Sequence, residues 1–428
     1  MPKPLRLGLA GLGTVGIGVV RGVAAQADLL AARAGRRVEI SAISARSRHR
    51  DRGVDLSGFA WEDDPVALAQ RKDIDVFVEL MGGEDGPAKA SVEAAIAAGK
   101  SVVTANKAML AMHGQPMAVA AEKARVALRF EAAVAGGIPV VKALTEGLAG
   151  NRITRVMGVM NGTCNYILTR MENEGLAYDA LFEEAAKLGY LEADPNLDVG
   201  GIDAGHKLAL LSAIAFGTKV NFAGVELEGI QRVTVTDIEQ ARDMGFRIKL
   251  LGVAQLTGRG LEQRMQPCLV PARSPLGQLE NATNMVVLEG DAVGQIVLRG
   301  AGAGAGPTAS AVLGDVVDIA RGFRLPVFGQ PAETLRDIQP AQASAAAAFY
   351  LRLTLKDAPG ALAKITRALA DAGVSIDRMR QYSHDDTAAP VLMVTHKITR
   401  AELDHALGGI QATGVSLEEP VAIRIEDV

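Results

Sequence analysis

Cysteine is scarce. The 428-residue chain has two, Cys164 and Cys268, with no CxxC pair and no Cys/His ligand spacing. That excludes a disulfide framework or a zinc knuckle as the source of stability, and a reducing, cytoplasmic setting is expected. Aromatic residues make up 4% of the chain, and a formal net charge of -4 is spread without a long basic block. The stacking platform and the phosphate-binding stripe of a nucleic-acid binder are therefore both missing. No uninterrupted apolar run approaches about 18 residues. The opening MPKPLRLGLAGLG enters a strand-like segment without the tripartite pattern of a signal peptide, so neither secretion nor membrane insertion is expected. What is present is 49% hydrophobic and 22% charged residues, enough for two or three domains with cores of their own and a small-molecule partner.

The first 45 residues read as strand, glycine turn, helix. Leu5–Ala10 favours β structure, GLGTVG supplies Gly11, Gly13 and Gly16, and IGVVRGVAAQADLL continues with helical periodicity. In that setting the glycines serve a tight turn, close approach to a pyrophosphate and helix packing, with Leu12, Thr14 and Val15 completing the cradle at the helix N-terminus. The other reading is an ordinary strand-to-helix turn. Further strands at VEISAIS (38–44), DIDVFVEL (73–80) and SVVT (101–104) imply a doubly wound parallel α/β sheet of Rossmann type over residues 1–130. The second strand runs into Ala45, Arg46, Ser47 and Arg48 where an acid would hold the ribose of NAD. Basic residues there suit a 2′-phosphate, so NADP is favoured over NAD, unless the arginines are only a solvated loop.

Two lysines stand out. Asn106 and Lys107 lie just past the carboxyl end of a strand, where open α/β sheets collect ligands. Lys207 is embedded in HKLALLSAIAF, directly after the acid-rich GYLEADPNLDVGGIDAG. If that helix begins near Ile202, Asp203 and Lys207 share one face, with Glu192 and Asp198 on the preceding loop within reach. The bland reading is a helix start dressed with acids, but it leaves the costly lysine unexplained.

From Glu131 the pattern changes. An α+β domain is expected over 131–306, with IKLLGVAQL, EQRMQPCLV and NMVVLEG as strands of a mixed or antiparallel sheet. RGAGAGAGPTASAVLGDVVDIARG reads as a glycine-rich loop and a helix, 307–325, that returns to the nucleotide domain. Pro326 to about residue 346 reads as a linker. Residues 347–428 spell βαββαβ, a ferredoxin-like module.

In combination, GLGTVG, VTANKAML, FEAAVAGGIPVV, MNGTCNYIL, GYLEADPNLDVGGIDAGHKLALL and GAGAGPTASAVLGDVV resemble the homoserine dehydrogenases that carry a C-terminal ACT domain, in the family's order and over nearly the whole chain. The resemblance implies NAD(P)-dependent interconversion of L-homoserine and L-aspartate 4-semialdehyde, on the route to threonine, methionine and isoleucine. It implies that Lys207 exchanges a proton with the substrate oxygen and that Lys107 sits beside the nicotinamide. Glu192 and Asp203 would hold the substrate, Gly162, Thr163 and Tyr190 would stand nearby, and Asp198 would support the network. Gly189 and Gly304 would meet the cofactor. A sodium-like cation would sit on the Glu131 carboxylate and the carbonyls of Val134, Gly136 and Ile138, where the plainer alternative is a buried Glu131 bonding its own turn. The turn at Asp357 to Gly360 resembles the ligand turn of ACT domains, so an amino acid such as threonine is an expected effector, beside a purely structural role for the module. Dimers through the second domain, or tetramers through ACT pairing, are implied as well.

Two rivals remain at this level. One is a Rossmann oxidoreductase for another semialdehyde, which leaves the acidic block unexplained. The other is an amino-acid sensor with a degenerate dehydrogenase body, against which Lys107, Glu192, Asp203 and Lys207 are all intact. No kinase-sized segment precedes Leu5, so an aspartokinase fusion is not expected.

Overall fold

Strand β1 (Leu5–Ala10) is buried along nearly all of its length, as a strand covered by helices on both faces must be. The computed structural model describes residues 2–191, 194–342, 344–381 and 388–428. In it β1 is joined by β2 (Val38–Ser44), β3 (Ala60–Glu62), β4 (Val76–Glu79), β5 (Ser101–Thr104) and β6 (Leu128–Arg129) in one parallel sheet of order β3-β2-β1-β4-β5-β6. The winding reverses between β1 and β4, so the carboxyl ends of these two strands leave a crevice. The helices are α1 (Thr14–Ala25), α2 (Ala27–Ala34), α3 (Pro65–Gln70), α4 (Pro87–Ala97) and α5 (Lys107–Lys123). The single long helix expected after the glycine turn is two, bent by 83° at Gln26. Asp64 and Asn106 cap α3 and α5 through their side chains, which pins where each begins.

The second body runs through α6 (Val140–Lys142), β7 (Ile153–Val159), α7 (Gly162–Glu174), α8 (Tyr178–Lys187), α9 (Asn196–Val199) and α10 (Ile202–Phe216). It continues with β8 (Glu226–Leu227), α11 (Val235–Asp243), β9 (Phe246–Thr257), β10 (Gly260–Pro271), β11 (Thr283–Gly290), β12 (Gly294–Ala301) and α12 (Ala305–Ala320). Strands β12, β11, β7, β9 and β10 pair antiparallel in that order. Part of the expected glycine-rich loop is thus the edge strand β12, whose alternating exposure was masked by its small residues. Helix α12 lies close along α1: a Cβ on Gly18 would stand 2.6 Å from the Ala305 carbonyl oxygen, and one on Gly22 2.7 Å from Leu313. At Gly18, where the neighbour is backbone, only glycine permits that approach.

The third part, β13 (Phe349–Lys356), α13 (Ala361–Asp371), β14 (Ile376–Gln381), β15 (Ala388–Thr395), α14 (Arg400–Ala412) and β16 (Val421–Ile425), has the expected βαββαβ order. It is less separate than its sequence suggests. Leu351, Leu353, Ile365 and Ile410 build a core of their own, but Tyr350, Leu392 and Ile423 join the main core. Strand β16 pairs in parallel with β10, Cys268 against Arg424, so one ten-stranded sheet crosses both parts. The stretch read as a linker is anchored as well. Phe328 is buried against Phe130 with ring centroids 5.5 Å apart, and the Ala332 amide donates to Glu122 at 2.8 Å.

Buried ion pairs seal this junction. Glu426 accepts from Arg264 at 2.7 Å and Arg424 at 3.0 Å, and also pairs with Arg155; Arg264 pairs with Glu262. On the far side, fully buried Asp237 of α11 takes Arg352 at 2.7 Å and the Tyr350 hydroxyl at 3.1 Å. Removing one partner of such a set leaves uncompensated charge in a dry site. Glu426→Ala is therefore expected to destabilise the chain by about 3–5 kcal/mol, read by denaturant unfolding. A loss below about 1 kcal/mol would show that the junction behaves as a solvated surface.

Candidate active site

The glycine turn is built as its spacing requires. Gly11 has φ +96°, and a Cβ there would stand 2.4 Å from the Leu80 carbonyl oxygen; one on Gly16 would stand 2.0 Å from the Gly11 carbonyl oxygen. Gly13 has open space at the same position and forms the N-terminus of α1 with no side-chain cap. The first-turn amides at Thr14, Val15 and Gly16 are thus left for an anion. A crevice of about 810 Å³ opens beside them, lined by Gly11, Leu12, Gly13, Arg46, Arg50 and the loop after β4. These residues fit a dinucleotide. Arg46 lines the crevice, whereas Arg48 stands over the Trp61 ring at 5.8 Å. Arg52 is used in the loop itself, donating to the carbonyls of Leu12, Arg50 and Ser47. Arg50, which no pattern in the sequence marked, lines the crevice with Arg46 and Arg52.

Beneath the crevice β4 ends in Glu79, which is fully buried. One oxygen accepts the amides of Met81 at 2.7 Å and Gly82 at 3.2 Å, and the other accepts the Thr104 hydroxyl at 2.6 Å. Thr104 in turn accepts the Asn106 amide at 3.0 Å; Asn106 caps α5 through Met109 and donates to the Gly83 carbonyl at 2.7 Å. Burial pushes the Glu79 carboxyl up, and these donors only partly reverse it. Its one signal in the sequence was a lone acid closing an apolar strand at the ligand-collecting edge.

Helix α10 starts at Ile202, behind Gly201 at φ +79°, so Asp203 and Lys207 share a face as predicted. The Lys207 ammonium donates to Asp203 at 2.6 Å and to the Met160 carbonyl at 2.8 Å. From the other side Lys107, the first residue of α5, meets the second oxygen of Asp203 at 2.8 Å. Burial pushes the Asp203 carboxyl up, but the ammonium groups of Lys207 and Lys107 outweigh it and hold it below the usual carboxylate range. His206, on the neighbouring face, stacks on Phe222 at 4.2 Å, and burial lowers it to about 4, so it is neutral at neutral pH.

Around this pair Asn161 caps α7, accepting the Cys164 amide at 2.8 Å and donating to Asp198 at 2.9 Å. Asp198 is thus brought into the network through Asn161. Gly162 and Thr163 open α7, and the Thr163 hydroxyl donates to the Tyr190 carbonyl at 2.9 Å, with the Tyr190 ring edge-on to Tyr166. Glu192 lies outside the described residues. Gly189 ends α8 in the left-handed region, and Gly304, at φ +114°, opens α12 beside α1. Asp357 is exposed, and Gly360 at φ +84° starts α13.

Glu131 is buried and does not bond its own turn. Its two oxygens accept the amides of Val141 at 2.9 Å and Lys142 at 2.8 Å. Asp315 accepts the Glu131 amide at 2.9 Å, and the Lys142 ammonium is shared between Asp315 and Asp318. Burial and then Asp315 push the Glu131 carboxyl up to about 7. Val134, Ala135 and Gly136 follow, the last two left-handed at φ +56° and +54°. The Ile138 carbonyl already accepts the Val140 amide at 2.8 Å.

Comparison with known proteins places the whole chain. Residues 11–131 match the model described as the homoserine dehydrogenase NAD binding domain, residues 139–317 that of homoserine dehydrogenase, and residues 349–412 that of the ACT domain. Over the whole chain and 99% of the relative's length, it is 43% identical to a homoserine dehydrogenase from Neisseria gonorrhoeae; over 99% of both, it is 35% identical to one from Bacillus subtilis. The crystal structure of a homoserine dehydrogenase from Thiobacillus denitrificans superposes with a TM-score of 0.94 at 41% identity, covering 99% of each chain. A hyperthermophilic archaeal homoserine dehydrogenase in complex with NADPH matches 75% of this chain and 99% of its own, with a TM-score of 0.65 at 25% identity. With a glycine-turn crevice, a carboxylate shared by two lysines and full-length relatives of one kind, the chain belongs to the homoserine dehydrogenase family.

Proposed function

We propose that in this NAD(P)-dependent oxidoreductase, which interconverts L-homoserine and L-aspartate 4-semialdehyde, Lys207 moves the proton and Lys107 steadies the reacting oxygen. The observation that carries this reading is the pair of ammonium groups on opposite sides of the Asp203 carboxylate, 2.6 and 2.8 Å away. A bound nicotinamide supplies or takes up the hydride at the substrate carbon. The chain's part is to hold that carbon near the crevice and to settle the charge on its oxygen. Lys207, oriented by Asp203 and by the Met160 carbonyl, is placed to give a proton to the oxygen in reduction and to receive it in oxidation. Glu192, Asp203, Asp198, Gly162, Thr163 and Tyr190 are assigned to binding the amino-acid end of the substrate, the acids matching its ammonium group.

Three finer assignments belong to the same proposal. NADP is the preferred cofactor, supported by Arg46 and Arg50 on the crevice wall, with Gly189 and Gly304 as further cofactor contacts. A sodium ion would be held by the Glu131 carboxylate with the carbonyls of Val134, Gly136 and Ile138. The donor set suits a hard cation, and added positive charge there would relieve two buried acids, Glu131 and Asp315, that share little beyond Lys142. The ACT turn at Asp357 and Gly360 takes an amino-acid effector such as threonine, in a cytoplasmic dimer or tetramer.

Lys207→Ala should lower kcat by about 10²–10⁴-fold while the NADPH dissociation constant, read by fluorescence titration, stays within about twofold; near-normal turnover would move the proton to another group. Arg46→Glu should shift the NADP/NAD ratio of kcat/KM toward NAD, and an unchanged ratio would leave the arginine as a surface charge. For Glu131 the folded value of about 7 lies above the ordinary 4.5. The folded chain therefore holds the extra proton, and stability falls as pH rises through that window. Sodium bound to the carboxylate opposes this loss. The rise in Tm given by sodium over a bulky organic cation should accordingly grow from about pH 5.5 to pH 8, and a pH-independent effect would place the ion elsewhere.

A further inference from the structure

We infer that Glu79 is a positioning residue of this dehydrogenase, one buried carboxylate that ties the loop under the dinucleotide turn to the N-terminus of the helix carrying Lys107. The inference rests on the reading that places Lys107 beside the reacting groups.

The surroundings make Glu79 an anomaly. Val76, Phe77 and Val78 of the same strand are all fully buried and apolar, and packing alone would have continued that run. A buried carboxylate is tolerated only where donors surround it, and each donor here belongs to a piece of the active site. The amides of Met81 and Gly82 fix the turn after β4. The glycine turn rests on that same segment: a Cβ on Gly11 would stand 2.4 Å from the Leu80 carbonyl oxygen and 2.9 Å from the Met81 nitrogen. Met81, Gly82 and Gly83 also line the crevice.

The second oxygen of Glu79 serves the other half. It takes the Thr104 hydroxyl, whose oxygen takes the Asn106 amide, and Asn106 caps α5 and returns to the Gly83 carbonyl. The hydrogen bonds close into a ring through Glu79, Gly82, Gly83, Asn106 and Thr104. Lys107 leaves this ring as the first residue of α5 and reaches Asp203 at 2.8 Å. A glutamine would keep the shape but not the bonding. Its NH₂ would have to face either the two backbone amides or Thr104, whose hydroxyl hydrogen would then lose its acceptor.

The test compares Glu79→Gln, Thr104→Val and Thr104→Ser in the full-length enzyme. It measures NADPH affinity by fluorescence titration without substrate, kcat and both KM values for homoserine oxidation, and Tm. Glu79→Gln should weaken NADPH binding and lower kcat by about tenfold each, the loss expected for a buried hydrogen bond. Thr104→Val leaves the Met81 and Gly82 bonds intact, so it should lower kcat by about tenfold while NADPH affinity stays within about twofold, and Thr104→Ser should restore kcat. A lower Tm with kcat, KM and NADPH affinity within about twofold of the parent in both variants would reduce Glu79 to a structural role. Unchanged kcat in Thr104→Val would break the link to Lys107. If Glu79→Gln does not fold, the Thr104 pair decides that link. If the parent enzyme fails to oxidise homoserine, the reading of Lys107 falls, and the NADPH titration of Glu79→Gln still decides whether the carboxylate holds the cofactor loop.

Discussion

The carboxylate of Asp203 ties the nucleotide-binding body to the second body. Lys107 comes from the helix after β5 of the nucleotide sheet, Lys207 from α10 of the second body, and both reach the same buried acid. In a partly dry site neither ammonium group is tolerable alone, and Asp203 alone would be pushed toward its neutral form. Two ammonium groups about one carboxylate are the arrangement on which the proposed stabilisation of an oxygen gaining negative charge rests.

Much of the remaining structure keeps this pair aligned. Gly201 turns the chain into α10 so that Asp203 falls in its first turn, and Asn161 ties the start of α7 to Asp198. On the nucleotide side, the Glu79 ring sets where α5 begins. Behind the site, α12 packs on α1 so closely that glycine is needed at Gly18, which couples the cofactor turn to the segment that follows the second sheet.

The third part is fused to the body by backbone and by charge. Strand β16 extends the catalytic sheet, and Arg264, Arg424, Arg155 and Glu426 meet at the seam. Met265 of β10, a few residues along the strand that pairs with β16, packs 3.1 Å from where a Cβ on Gly201 would stand. The strand that carries the seam thus also packs against the N-terminus of α10.

How much was legible in the sequence follows from which forces act locally. The strands Leu5–Ala10, Val38–Ser44 and Ser101–Thr104, the glycine turn, and the helix that pairs Asp203 with Lys207 are set by short-range patterns: apolar runs, missing Cβ atoms and a four-residue spacing. Those the chain determined by itself. The short strands β3, β6 and β8 exist only because a neighbour offers unpaired backbone groups, and no local pattern marks them. The meeting of Lys107 with Asp203, the ring around Glu79, the bonding of Glu131 to a helix start ten residues on, and the joining of β16 to β10 were likewise decided by tertiary structure. In each, a polar group buried by the fold had to find its partner from a distant part of the chain, and sequence distance carries no record of which partner that is.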